Sequence, residues 1–130
     1  MILLDTHVVI WLMTSPERVS KAAAEAIALE GADGSLPDVS VATIYEIFYL
    51  SMRGRIRLYL TGAALLERLQ GCFILHPVTA MIALEAATLP EPFHGDPVDR
   101  LIAATARVEG STLVTIDSKF RAANVCKVLW

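Results

Sequence analysis

The sequence predicts an α/β fold, a three-layer α/β/α sandwich around a central parallel sheet, and three observations carry that prediction. Short apolar runs recur along the chain, at Ile2-Leu3-Leu4, Phe73-Ile74-Leu75, Thr112–Ile116 and Lys127–Trp130. Strands buried on both faces read as such runs, without polar alternation. Segments of helical spacing with recognisable caps lie between them. Two of the runs lead directly into aspartate, Asp5 and Asp117, a residue disfavoured inside strands.

The elements follow in order. After Ile2-Leu3-Leu4, a short helix is expected from His7 to Met13, broken by the turn-like Thr14-Ser15-Pro16. Ser20 suits the N-cap of an Ala-rich helix from Lys21 to about Glu30. Gly31-Ala32-Asp33-Gly34 is a loop, with an extended segment near Leu36–Val39. Ser40 or Thr43 caps the next helix, in which Ile44, Ile47, Phe48 and Leu50 recur at helical spacing, and Gly54 ends it. Thr61 to Gln70 forms a further helix. Phe73-Ile74-Leu75 is a buried-type strand closed by Pro77, and Thr79 caps a helix from Ala80 to Thr88. Leu89–Gly95 is a loop. The strongest helix start comes next, with Asp96 as N-cap, Pro97 at the first position and Asp99 at the third. Thr112–Ile116 and Lys127–Trp130 complete the strands. Apolar strands alternating with helices imply a parallel sheet covered on both faces.

A chain of 130 residues fits one domain, expected to span 1–130. Hydrophobic residues make up 55% of it and charged residues 19%, which excludes disorder and leaves apolar surface for a partner. The net charge of −3 excludes general attraction to nucleic acid, so such binding would need local basic patches, a metal or a partner's charge. No basic segment precedes the first apolar run, and no uncharged run reaches about 18 residues, so neither a signal peptide nor a membrane span is expected. Cys72 and Cys126 are isolated, as in a reducing cytoplasm, and His7, His76 and His94 lack zinc-site spacing.

The chemistry lies in the carboxylates. In a parallel sheet, Asp5 and Asp117 both fall at the carboxyl edge, where open α/β sheets bind ligands. Asp96 and Asp99, three apart at a helix start, can project to the same side. Glu46 sits among Ile44, Ile47 and Phe48, a costly place for an unpartnered charge. Two like charges about 4 Å apart repel by about 4 kcal/mol at an effective dielectric of 20. Gathered carboxylates therefore call for a cation, and an all-oxygen set selects Mg²⁺ or Mn²⁺. Each residue also has a plainer use: Asp5 and Asp117 suit a helix cap and a turn, Asp96 and Asp99 a capping pair, Glu46 a solvated helix face.

Four ordered segments carry a family resemblance: Leu3-Leu4-Asp5-Thr6-His7; Ser40–Ile47; His94-Gly95-Asp96-Pro97-Val98-Asp99-Arg100-Leu101-Ile102-Ala103-Ala104-Thr105-Ala106; and Leu113–Asp117. The chain resembles the PIN-domain ribonucleases, in particular the VapC-type toxins of bacterial toxin–antitoxin pairs. Tyr45, Gly95 and Val98 depart from the residues common in that family (Trp, Arg and Phe), and none of them is acidic. The resemblance implies the α/β/α fold and an Mg²⁺-dependent endoribonuclease. By motif position it makes Asp5, Glu46, Asp99 and Asp117 the catalytic quartet and Asp96 an accessory metal ligand, with Thr6 and Thr115 as polar supports. It also implies an RNA substrate, a cognate antitoxin, and a homodimer or a higher toxin–antitoxin assembly.

Arg100, beside Asp99, is a candidate phosphate contact or a carboxylate partner. Arg53, Arg55 and Arg57 either track an RNA backbone or form a charged surface loop. Val9, Trp11, Leu12 and Tyr49 are expected to meet an apolar segment of a partner. Two rival readings are a non-catalytic module of the same fold and a receiver-type phosphoacceptor domain. The receiver would need paired acidic residues after the first strand, where Thr6 follows Asp5, and an Asp after Ile74-Leu75, where His76 stands.

Overall fold

The computed structural model describes residues 1–90, 93 and 95–130; part of the loop expected over 89–95 therefore lies outside the described residues. Among the described residues, the elements run β1 (Ile2–Leu4), α1 (Thr6–Thr14), α2 (Lys21–Glu30), β2 (Asp38–Ser40), α3 (Val41–Met52), α4 (Gly62–Cys72), β3 (Ile74–His76), α5 (Ala80–Ala87), α6 (Pro97–Glu109), β4 (Thr112–Val114), α7 (Ser118–Ala123) and β5 (Val128–Leu129). The strands form one parallel sheet in the order β3-β2-β1-β4-β5. This order differs from the 2-1-3-4-5 order of receiver-type doubly wound folds, which removes that rival.

Alternation along β1 separates the layers. Ile2 and Leu4, with Val39 and Val114, enter an apolar cluster with α1, α2, α4 and residues Ile44 and Ile47 of α3. Leu3 and Leu113 point the other way, into a cluster with Phe93, Ile102, Ala103, Ala106 and Phe120. Helix α5 lies on α6 through Ile82, Ala86 and Ala104. Both faces of the sheet are thus covered, as uninterrupted apolar strands require.

The caps expected from sequence form in several places. Ser20 Oγ accepts from Ala23 N at 3.1 Å, and Thr79 Oγ1 from Ile82 N at 3.2 Å. Ser40 rather than Thr43 caps α3, accepting from Ala42 N at 3.1 Å; Thr43 is buried within the helix. Gly54, with φ +67°, turns the chain just past α3 in the left-handed region that glycine adopts without strain.

Three expectations need correction. β3 is an edge strand with Ile74 46% exposed, because no later strand pairs outside it. The strand expected over Thr112–Ile116 ends at Val114; beyond it Thr115 N still donates to the Leu129 carbonyl at 3.1 Å, but the ladder with β1 has ended at Leu4. Val9 and Trp11 are buried in the core and not available to a partner. Trp11 packs against Trp130 at 5.7 Å between ring centroids and lies beneath the Arg18 guanidinium. Among the described residues, no helix is long and apolar enough to cross a membrane.

Candidate active site

The strands end at the carboxyl edge, and helices α1 and α3 begin there. Helix α6, which leads into β4, runs antiparallel to the strands and so brings its first turn to the same edge. Asp5 follows β1, and Asp117 lies three residues beyond β4, β1's hydrogen-bonded neighbour. Glu46 stands on α3, with Asp96 and Asp99 at the start of α6.

Asp5 is the most constrained member. It is 4% exposed and caps α1, its Oδ1 accepting from Thr6 N at 2.7 Å. Its other oxygen, Oδ2, accepts from the Thr115 hydroxyl at 2.6 Å. The Thr115 hydroxyl in turn accepts from Asp117 N at 3.0 Å. Thr115 therefore ties the two aspartates together, and the polar support comes from a residue that is itself 1% exposed. Burial pushes the Asp5 carboxyl above the usual carboxylate range; the bonds from Thr115 and Thr6 oppose that, and the charge of Asp99 adds to it.

Glu46 is half-buried, and loss of solvent likewise raises its carboxyl. The Thr6 side chain opposes the shift, while the charges of Asp99, Asp96 and Asp5 reinforce it. Thr6 is fully buried and its hydroxyl lies 3.5 Å from that of Thr43. Four of the five carboxylates (Asp5, Glu46, Asp96 and Asp99) are thus close enough for one or more to perturb another electrostatically.

Asp96 and Asp99 form a capping box. Asp96 Oδ1 accepts from Asp99 N at 2.9 Å, and Asp99 Oδ2 from Asp96 N at 3.3 Å. The Asp99 side chain is therefore engaged by backbone, in the capping use that its place at the helix start also allows. Its Oδ2 also meets the ammonium of Lys119 at 3.1 Å, and that ammonium reaches Asp117 Oδ2 at 3.4 Å. Sequence reasoning misses Lys119, although it lies only two residues after Asp117, in the first turn of α7.

Gly95 packs against the base of this turn. A Cβ there would lie 2.6 Å from Phe93 Cζ and 2.8 Å from Asp99 Cβ. The close approach of this backbone to α6 needs glycine, which gives a steric reason for the departure at this position.

Arg100 is engaged by backbone. Its Nε donates to the Ala86 carbonyl at 2.9 Å and its Nη1 to the Phe93 carbonyl at 3.1 Å. A guanidinium held by two carbonyls anchors α6 to α5 and to Phe93. Arg53, Arg55 and Arg57 are exposed beyond the far end of α3, away from the carboxylates, and Arg53 stacks on Tyr49 at 4.5 Å. Two further polar pairs lie on β2: His76 Nε2 is 2.5 Å from Asp38 Oδ1 at the β2–β3 pair, and Thr105 Oγ1 donates to Ser40 Oγ at 3.3 Å.

The chain matches the PIN domain model over residues 2–125. It belongs to the PIN-domain family. This PIN domain is 39% identical over 122 residues to Ribonuclease VapC22 of Mycobacterium tuberculosis, covering 92% of this chain and 89% of that protein. Its fold superposes on a chain of VapBC2 from Rickettsia felis bound to a promoter DNA fragment, with a TM-score of 0.71, 17% identity, and coverage of 99% and 98% of the two chains. A toxin–antitoxin complex from Klebsiella pneumoniae gives 0.68 and 19%, covering 100% of this chain and 97% of that one.

The donor set is oxygen throughout, which fits a hard divalent cation. Among the described residues, no three Asp, Glu, His or Cys side chains converge tightly enough to hold a metal as they stand.

Proposed function

We propose that this PIN domain is an endoribonuclease dependent on Mg²⁺ or Mn²⁺, acting as the toxin of a toxin–antitoxin pair in the cytoplasm. The observation that carries the reading is Asp5: a buried carboxylate held by Thr115 and Thr6 beside further carboxylates at the sheet edge where ligands bind. Such a group is costly to keep charged unless a cation shares it. The 39% identity to a protein named a ribonuclease supports RNA as substrate.

Asp5, Asp99 and Asp117 would hold the cation, with Asp96 at the rim as an accessory ligand. When bound, the cation supplies charge for a phosphate oxygen and for the in-line transition state. Thr6 and Thr115 fix the Asp5 carboxylate so that it need not reorganise during reaction. Glu46, half-buried with a raised carboxyl, is suited to orient the attacking water and accept its proton at Oε. The RNA 2′-hydroxyl has no part in this scheme, so the products carry a 5′-phosphate and a 3′-hydroxyl. Arg53, Arg55 and Arg57 are placed to touch only RNA that extends well beyond the acidic edge.

A cognate antitoxin is the proposed inhibitor, in keeping with the toxin–antitoxin complexes that share this fold. With Val9 and Trp11 in the core, its surface is a groove of about 410 Å³ whose accessible apolar residues include Leu12, Met13, Leu58, Tyr59 and Leu60. The exposed Tyr45 and Met52 of α3 offer a second apolar face for a homodimer. Cleavage of a labelled RNA by purified protein, with and without chelator and beside Asp5→Asn, tests the activity. Cleavage that persists in metal-free protein with excess EDTA, or in Asp5→Asn, would overturn it.

A further inference from the structure

The Lys119 ammonium contacts Oδ2 of both Asp99 and Asp117, two of the three carboxylates assigned above to the cation. Nothing else about its position favours a positive charge. It lies in the first turn of α7, where the helix dipole is itself positive, and its side chain is 48% exposed, so no apolar contact compels it inward. The carboxylates hold it there, Oδ2 of Asp99 at 3.1 Å and Oδ2 of Asp117 at 3.4 Å.

We propose that Lys119 is an internal counterion that competes with the divalent cation for Asp99 and Asp117, and so sets the metal concentration at which the site fills. This inference rests on the metal-dependent reading above. A cation entering between these carboxylates must displace an ammonium already within 3.1 Å and 3.4 Å of them, and the displaced side chain, half in solvent, has room to leave. The competing charge also offsets carboxylate repulsion while the cation is absent, so its removal should cost stability then and not after loading.

The test is a direct measurement of binding. Mn²⁺ is titrated into metal-free protein by electron paramagnetic resonance or calorimetry, for the wild type, Lys119→Met and Lys119→Arg. Two half-exposed ion pairs together justify about tenfold tighter binding in Lys119→Met, equivalent to about 1.4 kcal/mol. Lys119→Arg, which keeps the charge, should bind nearly as the wild type does. In chelator the Met variant should melt below the wild type, and saturating Mn²⁺ should close that gap. If Lys119 merely anchors α7, Lys119→Met would bind Mn²⁺ no more tightly than the wild type, and that result overturns the inference alone. Absence of Mn²⁺ binding to the wild type and to both variants overturns the inference together with the metal-dependent reading beneath it.

Discussion

Replacing Thr115 by Val swaps a hydroxyl for a methyl of nearly the same shape at a position 1% exposed, so packing is kept and two hydrogen bonds are lost. The bond to Asp5 Oδ2 at 2.6 Å reaches a buried carboxylate, and bonds to charged groups contribute about 1.5–3 kcal/mol net. The bond from Asp117 N at 3.0 Å is half-buried and adds about 1 kcal/mol at most. The expected loss is about 2–4 kcal/mol. An unfolding entropy of about 2.1 cal/mol/K per residue over 130 residues makes that a fall in Tm of roughly 7–15 °C. Thr115→Ser keeps the hydroxyl and loses one methyl, costing only about 1 kcal/mol. The pH dependence has a definite sign. The Thr115 bond favours ionised Asp5, so the penalty of Thr115→Val should be largest at neutral pH and shrink in acid as Asp5 is protonated. Calorimetry of metal-free protein at two pH values measures this, and cleavage should fall about 10- to 100-fold, the range for loss of a group that orients a metal ligand. A Thr115→Val protein melting within 2 °C of the wild type (~0.5 kcal/mol on the same entropy scale) would refute the reasoning, because Asp5 would then have another source of support.

Three further outcomes are expected. Asp5→Asn should raise the Tm of metal-free protein at neutral pH: the Asp5 carboxyl is raised, so its contribution is fully present below the unfolded pKa of about 4 and is lost as pH rises through the folded value. The gain should vanish in acid, and a less stable Asp5→Asn at pH 7.5 in chelator would refute it. Gly95→Ala should cost about 1–3 kcal/mol in denaturant unfolding, since its Cβ would overlap Phe93 and Asp99, and cleavage should fall with it. Asp99→Asn should abolish cleavage with the fold intact, whereas Asp96→Asn still caps α6 and should mainly raise the Mg²⁺ requirement; rates measured against Mg²⁺ for both decide it, and an inactive Asp96→Asn beside an active Asp99→Asn reverses the assignment.

The amino-acid sequence by itself determined what depends on local chemistry. Uninterrupted apolar runs gave away the strands, with burial misjudged only at the edge strand β3, and the caps Ser20, Thr79 and Asp96 were legible because each bonds to backbone within three residues. The placement of Asp5 and Asp117 at one edge followed from strand direction alone, and strand direction follows from helical crossovers. Tertiary structure decided what depends on distant partners. The carbonyls of Ala86 and Phe93 that hold the Arg100 guanidinium lie 14 and 7 residues away and are invisible in its local sequence. Val9 and Trp11 resembled a docking surface because an apolar face has the same composition whether a partner or the protein's own core covers it. Lys119 acquired its place only when α6 and α7 met, 20 residues apart in sequence. Thr115 reaches Asp5 across 110 residues, and its energetic weight arises because the fold removes water from that bond.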